Sequence, residues 1–146
     1  MFVKKEQFDI ELSDLSGARF LATLDCEARY WDEGGFSHRV CRITMRYGNE
    51  KIEASDRDYF ETFCRVRERL ELVGLIPMCY GASRNVFPSA MGRDMADGLR
   101  AYRMRIGERS VSKDLVSIFD SGADIDPVSV SCQKEFFDKW LESLKI

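Results

Sequence analysis

The chain has 146 residues, of which 45% are hydrophobic and 32% are charged, and its net charge at pH 7 is −3. This composition is typical of a globular domain and excludes a largely disordered chain. The two signs of charge are interleaved, whereas a nucleic-acid-binding domain usually carries a basic stripe. We therefore expect one domain over residues 1–146 and no nucleic-acid partner.

The cysteines and the first residues indicate the compartment. The chain has five cysteines, an odd number, and no two have the C-x-x-C spacing of a zinc or redox motif. The opening MFVKKEQFDIELSD contains no apolar run long enough for a signal peptide, and no segment reaches the length of a membrane span. These features predict a cytoplasmic protein with reduced thiols, no membrane partner, no metal site and no cofactor.

An antiparallel hairpin from Ala18 to Tyr47 is the strongest local pattern. If residues 32–35 form its loop, Trp31 faces Phe36. The apolar face then contains the pairs Ala22–Met45, Leu24–Ile43 and Cys26–Cys41, and the polar face contains Thr23–Thr44, Asp25–Arg42 and Arg29–His38. A slip of one residue would destroy this sorting, so the pattern predicts both the hairpin and this register.

Alternation and capping residues predict the other elements. They are a strand at Gln7–Leu12, a third meander strand at Lys51–Ala54 with Tyr47 opposite Ile52, a helix at Asp56–Leu72 capped by Ser55, a buried strand at Leu75–Tyr80, a short helix from Ser89 to Ala96, strands at Leu99–Ile106 and Leu115–Phe119, and a final helix from Ser129 or Ser131. The charged face of the first long helix, which includes Arg67, is predicted to be solvated.

Strands and helices are segregated along the chain rather than strictly alternating, which favours an α+β fold. We expect an antiparallel, mostly meander sheet of about six to seven strands packed against two main helices. The expected order is β-β-β-β-α-β-(α)-β-β-α.

The segment Cys79-Tyr-Gly-Ala-Ser-Arg84 is the most suggestive motif for chemistry. A thiol at the end of a buried strand, a Gly-containing loop and an Arg could form a small anion-binding nest. The loop is one residue shorter than the thiolate-to-arginine loop of protein tyrosine phosphatases, and Met78 stands where that family has His. A buried Cys79 that acts as a small hydrophobic residue is the alternative.

Polar residues continue past this motif. Ser83, Arg84 and Asn85 lie in a loop between apolar segments, and Arg93 and Asp94 follow downstream. Because loops on a rigid sheet often carry function, we include these residues with Cys79 as candidate ligand or anion contacts. The alternative is that they satisfy the turn backbone or form a surface ion pair.

A second candidate region is the hairpin tip. Trp31 and Phe36 flank its Gly-Gly sequence, and His38, the only histidine, lies nearby on the polar face. Exposed aromatic residues at a loop tip are typical of a partner contact. We therefore treat Trp31, Phe36 and His38 as candidate interface residues, with an exposed strand histidine as the alternative for His38.

The sequence contains no pattern that assigns catalytic residues, and it favours a non-catalytic binding protein with a protein partner or a second copy of itself. Its size and acidity are typical of small bacterial α+β proteins and suit the immunity proteins of bacterial toxin systems, an analogy of class only. The alternative function is a small-ligand or anion-binding enzyme that uses the Cys79–Arg84 loop.

Overall fold

The computed structural model describes residues 1–145 and has a mixed α+β fold, as expected. The elements in chain order are β1 (Phe2–Ser13), β2 (Arg19–Glu33), β3 (Phe36–Tyr47), β4 (Glu50–Asp56), α1 (Tyr59–Glu71), β5 (Ile76–Pro77), β6 (Val86–Phe87), α2 (Ala90–Met95), β7 (Arg100–Arg103), β8 (Leu115–Ser117) and α3 (Val130–Ser143). The predicted order of strands and helices is confirmed, and β6 is an additional short strand.

The strands form two antiparallel sheets instead of the single sheet that we expected. The first has the order β4-β3-β2-β1-β5, so a four-stranded meander receives β5 at the free edge of β1. The second has the order β6-β7-β8. Both β5 and β6 contain only two residues, and a segment of that length is too short for side-chain alternation to assign it to a sheet.

The register of the hairpin differs by two residues from the predicted register. Glu33, not Trp31, lies opposite Phe36, because Gly34 and Gly35 alone form the turn, with φ values of 61° and 81°. Two-residue turns with positive φ at both positions match the natural twist of a hairpin. Side chains alternate with a period of two, so this shift keeps every residue on its predicted face. Cys26 therefore lies opposite Ile43 rather than Cys41.

The same shift occurs at the next turn. Ile52 lies opposite Met45 rather than Tyr47, and Tyr47 lies opposite Glu50. Strand β4 is longer than predicted and runs to Asp56, so helix α1 begins at Tyr59. Its N-cap is Asp58 rather than Ser55, and the Asp58 carboxylate accepts a hydrogen bond of 2.8 Å from the Glu61 amide.

The main core lies between α1 and the inner face of the five-stranded sheet. Its buried residues include, from the hairpin, Leu24, Cys26, Cys41, Ile43 and Met45 and, from α1, Tyr59, Phe60, Phe63, Val66 and Leu70. The apolar stripe of α1 thus has the predicted spacing of three and four residues.

Arg67 is the exception on the charged face of α1, because it is 1% exposed instead of solvated. Its guanidinium donates to the side-chain oxygen of Gln133 at 2.6 Å and to the carbonyl oxygens of Gly81 at 3.2 Å and Val128 at 3.0 Å. Burial lowers the pKa of Arg67. The side chain therefore joins α1 to α3 and to the chain that leads into the second sheet.

Both later helices begin at predicted caps. Ser89 accepts a hydrogen bond from the Gly92 amide at the start of α2, and Ser129 accepts one from the Cys132 amide at the start of α3. None of the helices within residues 1–145 is both long enough and apolar enough to cross a membrane.

Candidate functional site

An open groove of about 780 Å³ lies at one end of the long hairpin. We define the hairpin end as residues Tyr30–Arg39 together with Phe2. The groove walls come from this region, from Met1 and, on the helical side, from Arg57 and Asp94. A volume of this size is within the range of sites that bind small molecules or side chains of a partner.

Asp97 anchors the inner face of the hairpin end. Tyr30 and Arg39 lie opposite each other in the β2–β3 ladder, and both side chains reach its carboxylate. Arg39 donates to Asp97 at 3.1 Å and to the carbonyl oxygens of Arg57 at 2.7 Å and Asp94 at 3.3 Å, and the Tyr30 hydroxyl donates to the second Asp97 oxygen. These bonds fix the two strands to the chain around α1 and α2.

The electrostatics of this anchor favour the observed donors and acceptors. Burial and, second, the bond to Asp97 raise the pKa of Tyr30, so its hydroxyl keeps the proton that it donates. Asp97 has a φ of 54°, a left-handed conformation that Asp and Asn adopt more readily than other residues with a side chain. The Asp97 carbonyl oxygen also accepts a hydrogen bond of 2.7 Å from the Tyr59 amide.

Aromatic side chains lie on both faces of the hairpin end. On the outer face Trp31 and His38 are direct cross-strand partners, and their rings stack with centroids 5.4 Å apart. On the inner face the Phe2 ring lies 5.7 Å from that of Tyr30. Phe2 is 63% exposed and Phe36, beside the turn, is 73% exposed. The three residues predicted as interface candidates, Trp31, Phe36 and His38, therefore share one end of the molecule.

The Cys79–Arg84 loop has a different arrangement from the expected anion nest. Cys79 is fully buried, and burial raises the pKa of its thiol to about 12. The amides of Tyr80 and Gly81 donate to the carbonyl oxygens of Asp120 at 2.9 Å and Ile118 at 2.7 Å. The groups that would have faced an anion are thus bonded to the protein's own backbone.

The polar side chains after this loop are bonded locally. Ser83 is buried and accepts a hydrogen bond from the Asp126 amide at 3.0 Å, while Arg84 forms an exposed ion pair with the Asp126 carboxylate, also at 3.0 Å. The Asn85 side chain donates to the Met104 carbonyl oxygen at 3.4 Å. Anion binding or catalysis at this loop stays a prediction, and its geometry gives little support.

Arg93 and Asp94 do not pair with each other. Arg93 lies 2.9 Å from a carboxylate oxygen of Asp58 and 3.2 Å from Glu61, and its guanidinium lies 5.4 Å from the centroid of the Phe60 ring. Arg93 thus joins α2 to the start of α1 through these ion pairs. Asp94 is the one residue of the predicted loop set that lines the groove at the hairpin end.

Sequence reasoning missed Tyr30, Arg39 and Asp97. The available signal was that Tyr30 and Arg39 continue the alternation of the apolar face, which places two polar side chains where the core pattern ends. Their common partner could not be found in this way, since Asp97 is 67 residues from Tyr30 and 58 from Arg39.

Comparison with known protein families gave no match, and comparison with curated proteins gave none.

Proposed function

We propose that this protein is a non-catalytic interaction protein that binds a protein partner through its hairpin end. The observation that carries the proposal is the exposure of two aromatic side chains at the hairpin end. Phe2 lines the open groove and is 63% exposed, and Phe36 lies beside the turn and is 73% exposed. Aromatic residues and arginine are enriched at the centres of protein interfaces, and the groove adds Arg39 and Arg57 to these aromatic rings.

Pre-organisation supports the same proposal. The Asp97 anchor fixes Tyr30 and Arg39, and the stacked rings of Trp31 and His38 restrain the other face. A surface that is already ordered loses little conformational entropy on association, so more of its contact energy contributes to affinity.

A toxin-neutralising role is a narrower form of this proposal. Small size and a net charge of −3 suit a protein that covers a functional surface of a bacterial toxin. The partner would then be a protein encoded and produced together with this chain. A second copy of the chain is the other partner that we consider.

Site-specific photocrosslinking tests the proposal. Benzoylphenylalanine would replace Phe36 and, as a matched control, Leu15, which is 93% exposed in the β1–β2 turn. Both variants would be produced in cells of the source organism, irradiated, and examined by mass spectrometry of the adducts. We expect one dominant protein adduct from position 36 that position 15 does not give.

The identity of the adduct separates the forms of the proposal. A toxin-like adduct supports the immunity role, and an adduct with the same chain supports a homo-oligomer. Identical adduct patterns at positions 36 and 15, or no adduct at 36, would contradict binding at the hairpin end.

A further inference from the structure

A second, more apolar cleft of about 560 Å³ lies between α3 and the second sheet, with walls that do not include the hairpin end. We call it the α3 cleft. Its apolar lining includes Met91, Met104, Phe137, Trp140, Leu141 and Leu144. Met91, in α2, is 69% exposed and Leu141, in α3, is 44% exposed, so the apolar walls of the cleft are only partly covered by the protein. Cavities of 300 to about 1,000 Å³ with mostly apolar walls are typical ligand sites.

Two hydrogen bonds and one ring stack hold the second half of α3, which forms the helical wall of the α3 cleft. The Trp140 ring nitrogen donates to the Glu108 carbonyl oxygen at 2.9 Å, and the Gly107 amide donates to the Ser143 hydroxyl at 2.8 Å. Phe137 stacks on Phe87 with centroids 3.9 Å apart. These contacts fix the second half of α3 relative to the turn after β7, so the helix cannot easily close the cleft.

Two polar groups at the rim indicate which ligand fits. Arg109 and Tyr102 both line the α3 cleft. Within residues 1–145, the Arg109 guanidinium forms no ion pair and the Tyr102 hydroxyl no hydrogen bond, whereas the neighbouring Arg103 and Arg105 are paired with Asp124 and Asp114. A guanidinium and a phenolic hydroxyl in the lining of one cleft can both donate to a carboxylate, which can accept a bidentate bond from arginine.

We propose that the α3 cleft binds an apolar monocarboxylate, of the medium-chain fatty acid class, with its chain against Trp140 and its carboxylate on Arg109. The two methionines suit this role because their flexible, polarizable side chains adapt to an aliphatic chain. This site goes beyond the proposed protein binding at the hairpin end and does not depend on it.

The test uses decanoate as the probe, below its micelle concentration, and decanol as the uncharged comparison. The chain has two tryptophans, so Trp31→Phe leaves Trp140 as the reporter. We expect saturable change of Trp140 fluorescence with decanoate. Arg109→Gln should weaken decanoate binding at least about 10-fold, as the loss of one charged hydrogen bond predicts, and should leave decanol binding unchanged.

Arg100→Gln is the matched control, since Arg100 is an exposed arginine of β7 that does not line the cleft. It should bind decanoate as the parent protein does. Methyl NMR adds a second readout: the Met91 and Met104 signals should shift on binding, and that of Met45, in the core of the first sheet, should not. Equal binding of decanol and decanoate, no effect of Arg109→Gln, or shifts confined to other methionines would each overturn the proposal.

Discussion

Arg67 and Gln133 lie 66 residues apart in the sequence and form a buried hydrogen bond of 2.6 Å, from the guanidinium to the side-chain oxygen. The Gln133 nitrogen in turn lies 3.0 Å from the Gly81 carbonyl oxygen and 2.8 Å from those of Ser83 and Val86. The pair therefore satisfies backbone groups of the segment that connects the two sheets. Without it, those carbonyl oxygens would be buried with fewer donors.

Substitution of either Arg67 or Gln133 should lower stability strongly, and the effects of the two substitutions should not be additive. Arg67→Met and Gln133→Leu should each lower the free energy of unfolding by about 3 kcal/mol, because each leaves buried polar groups unpaired. The double variant should lose less than the sum of the two. Urea unfolding measures all three, and Arg69→Met, an exposed arginine on the same helix, should cost less than about 1 kcal/mol. Strict additivity would show that the two side chains act separately.

Buried thiols should be unreactive in the folded protein. Burial raises the pKa of Cys26, Cys41 and Cys79 to about 12 in each case, whereas Cys132 is only half-buried. Cys64 is also buried, and burial raises the pKa of its thiol to about 11. At neutral pH iodoacetamide should therefore label Cys132 first, with the other four cysteines labelled at the rate of unfolding. Mass spectrometry of digests gives the order. Rapid labelling of Cys79 near pH 6 would instead support the alternative enzyme that uses its loop.

The same thiols should make the protein less stable at alkaline pH. The pKa of the thiols of Cys26, Cys41 and Cys79 is about 12 in the folded protein and 9.0 for a free thiol, the value we take for the unfolded chain. Below pH 9 the thiols are therefore protonated in both states. Between pH 9 and 12 the unfolded state releases protons first, and the free energy of unfolding should fall. Urea titrations at pH 8 and 10 measure the fall. Cys79→Ala should show a smaller fall than the parent protein, and an unchanged fall would assign the effect to other groups.

Asp97 should contribute to the stability of the fold through both its carboxylate and its backbone conformation. Asp97→Ala removes the acceptor for Tyr30 and Arg39 and strains the left-handed backbone, so we expect a loss of about 2–3 kcal/mol. Asp97→Asn tolerates that backbone and keeps one acceptor, so it should lose about half as much. Hydrogen exchange at residues 30–39 should rise in the same order. Equal effects of Ala and Asn would contradict this account of the anchor.

The two-residue turn should make stability sensitive to substitutions at Gly34 and Gly35. An added Cβ at either position meets no atom within 4 Å, so any cost comes from the positive φ alone. Gly34→Asn should be nearly neutral, since Asn-Gly is a favoured sequence for such turns, and Gly35→Val should cost about 1–2 kcal/mol. Thermal unfolding of both variants measures the difference. Similar melting temperatures for both would indicate a longer loop and the alternative register.

Side-chain alternation was sufficient to predict the faces of the hairpin but not its register. Leu24 and Ile43 point into the core as expected, yet each has a different cross-strand partner. A shift of two residues preserves every face, so the hydrophobic pattern cannot detect it. The register depends on the conformation of Gly34 and Gly35, which form a two-residue turn. The predicted loop had four residues, so its register was wrong by two.

The sites were harder to predict because their partners are distant in sequence. Arg67 has the helical position of a solvated residue, and its burial depends on Gln133 in the last helix. The loop after Cys79 has the composition of an anion nest, but backbone carbonyl oxygens of the segment around Ile118 accept hydrogen bonds from its amides. Trp31 and His38 were both predicted at the hairpin tip. Their rings stack because the observed register makes them direct cross-strand partners, and the predicted register did not pair them.

Binding at the hairpin end is tested most directly by hydrogen exchange of the purified chain, alone and with the partner captured at position 36. We expect protection of residues 1–3 and 30–39 in the complex, with no change in α3 or around Arg109. The Phe36→Ala variant should lose that protection, and Leu15→Ala, its control, should keep it. Protection confined to the α3 cleft, or none at residues 30–39, would contradict the hairpin end as the binding surface.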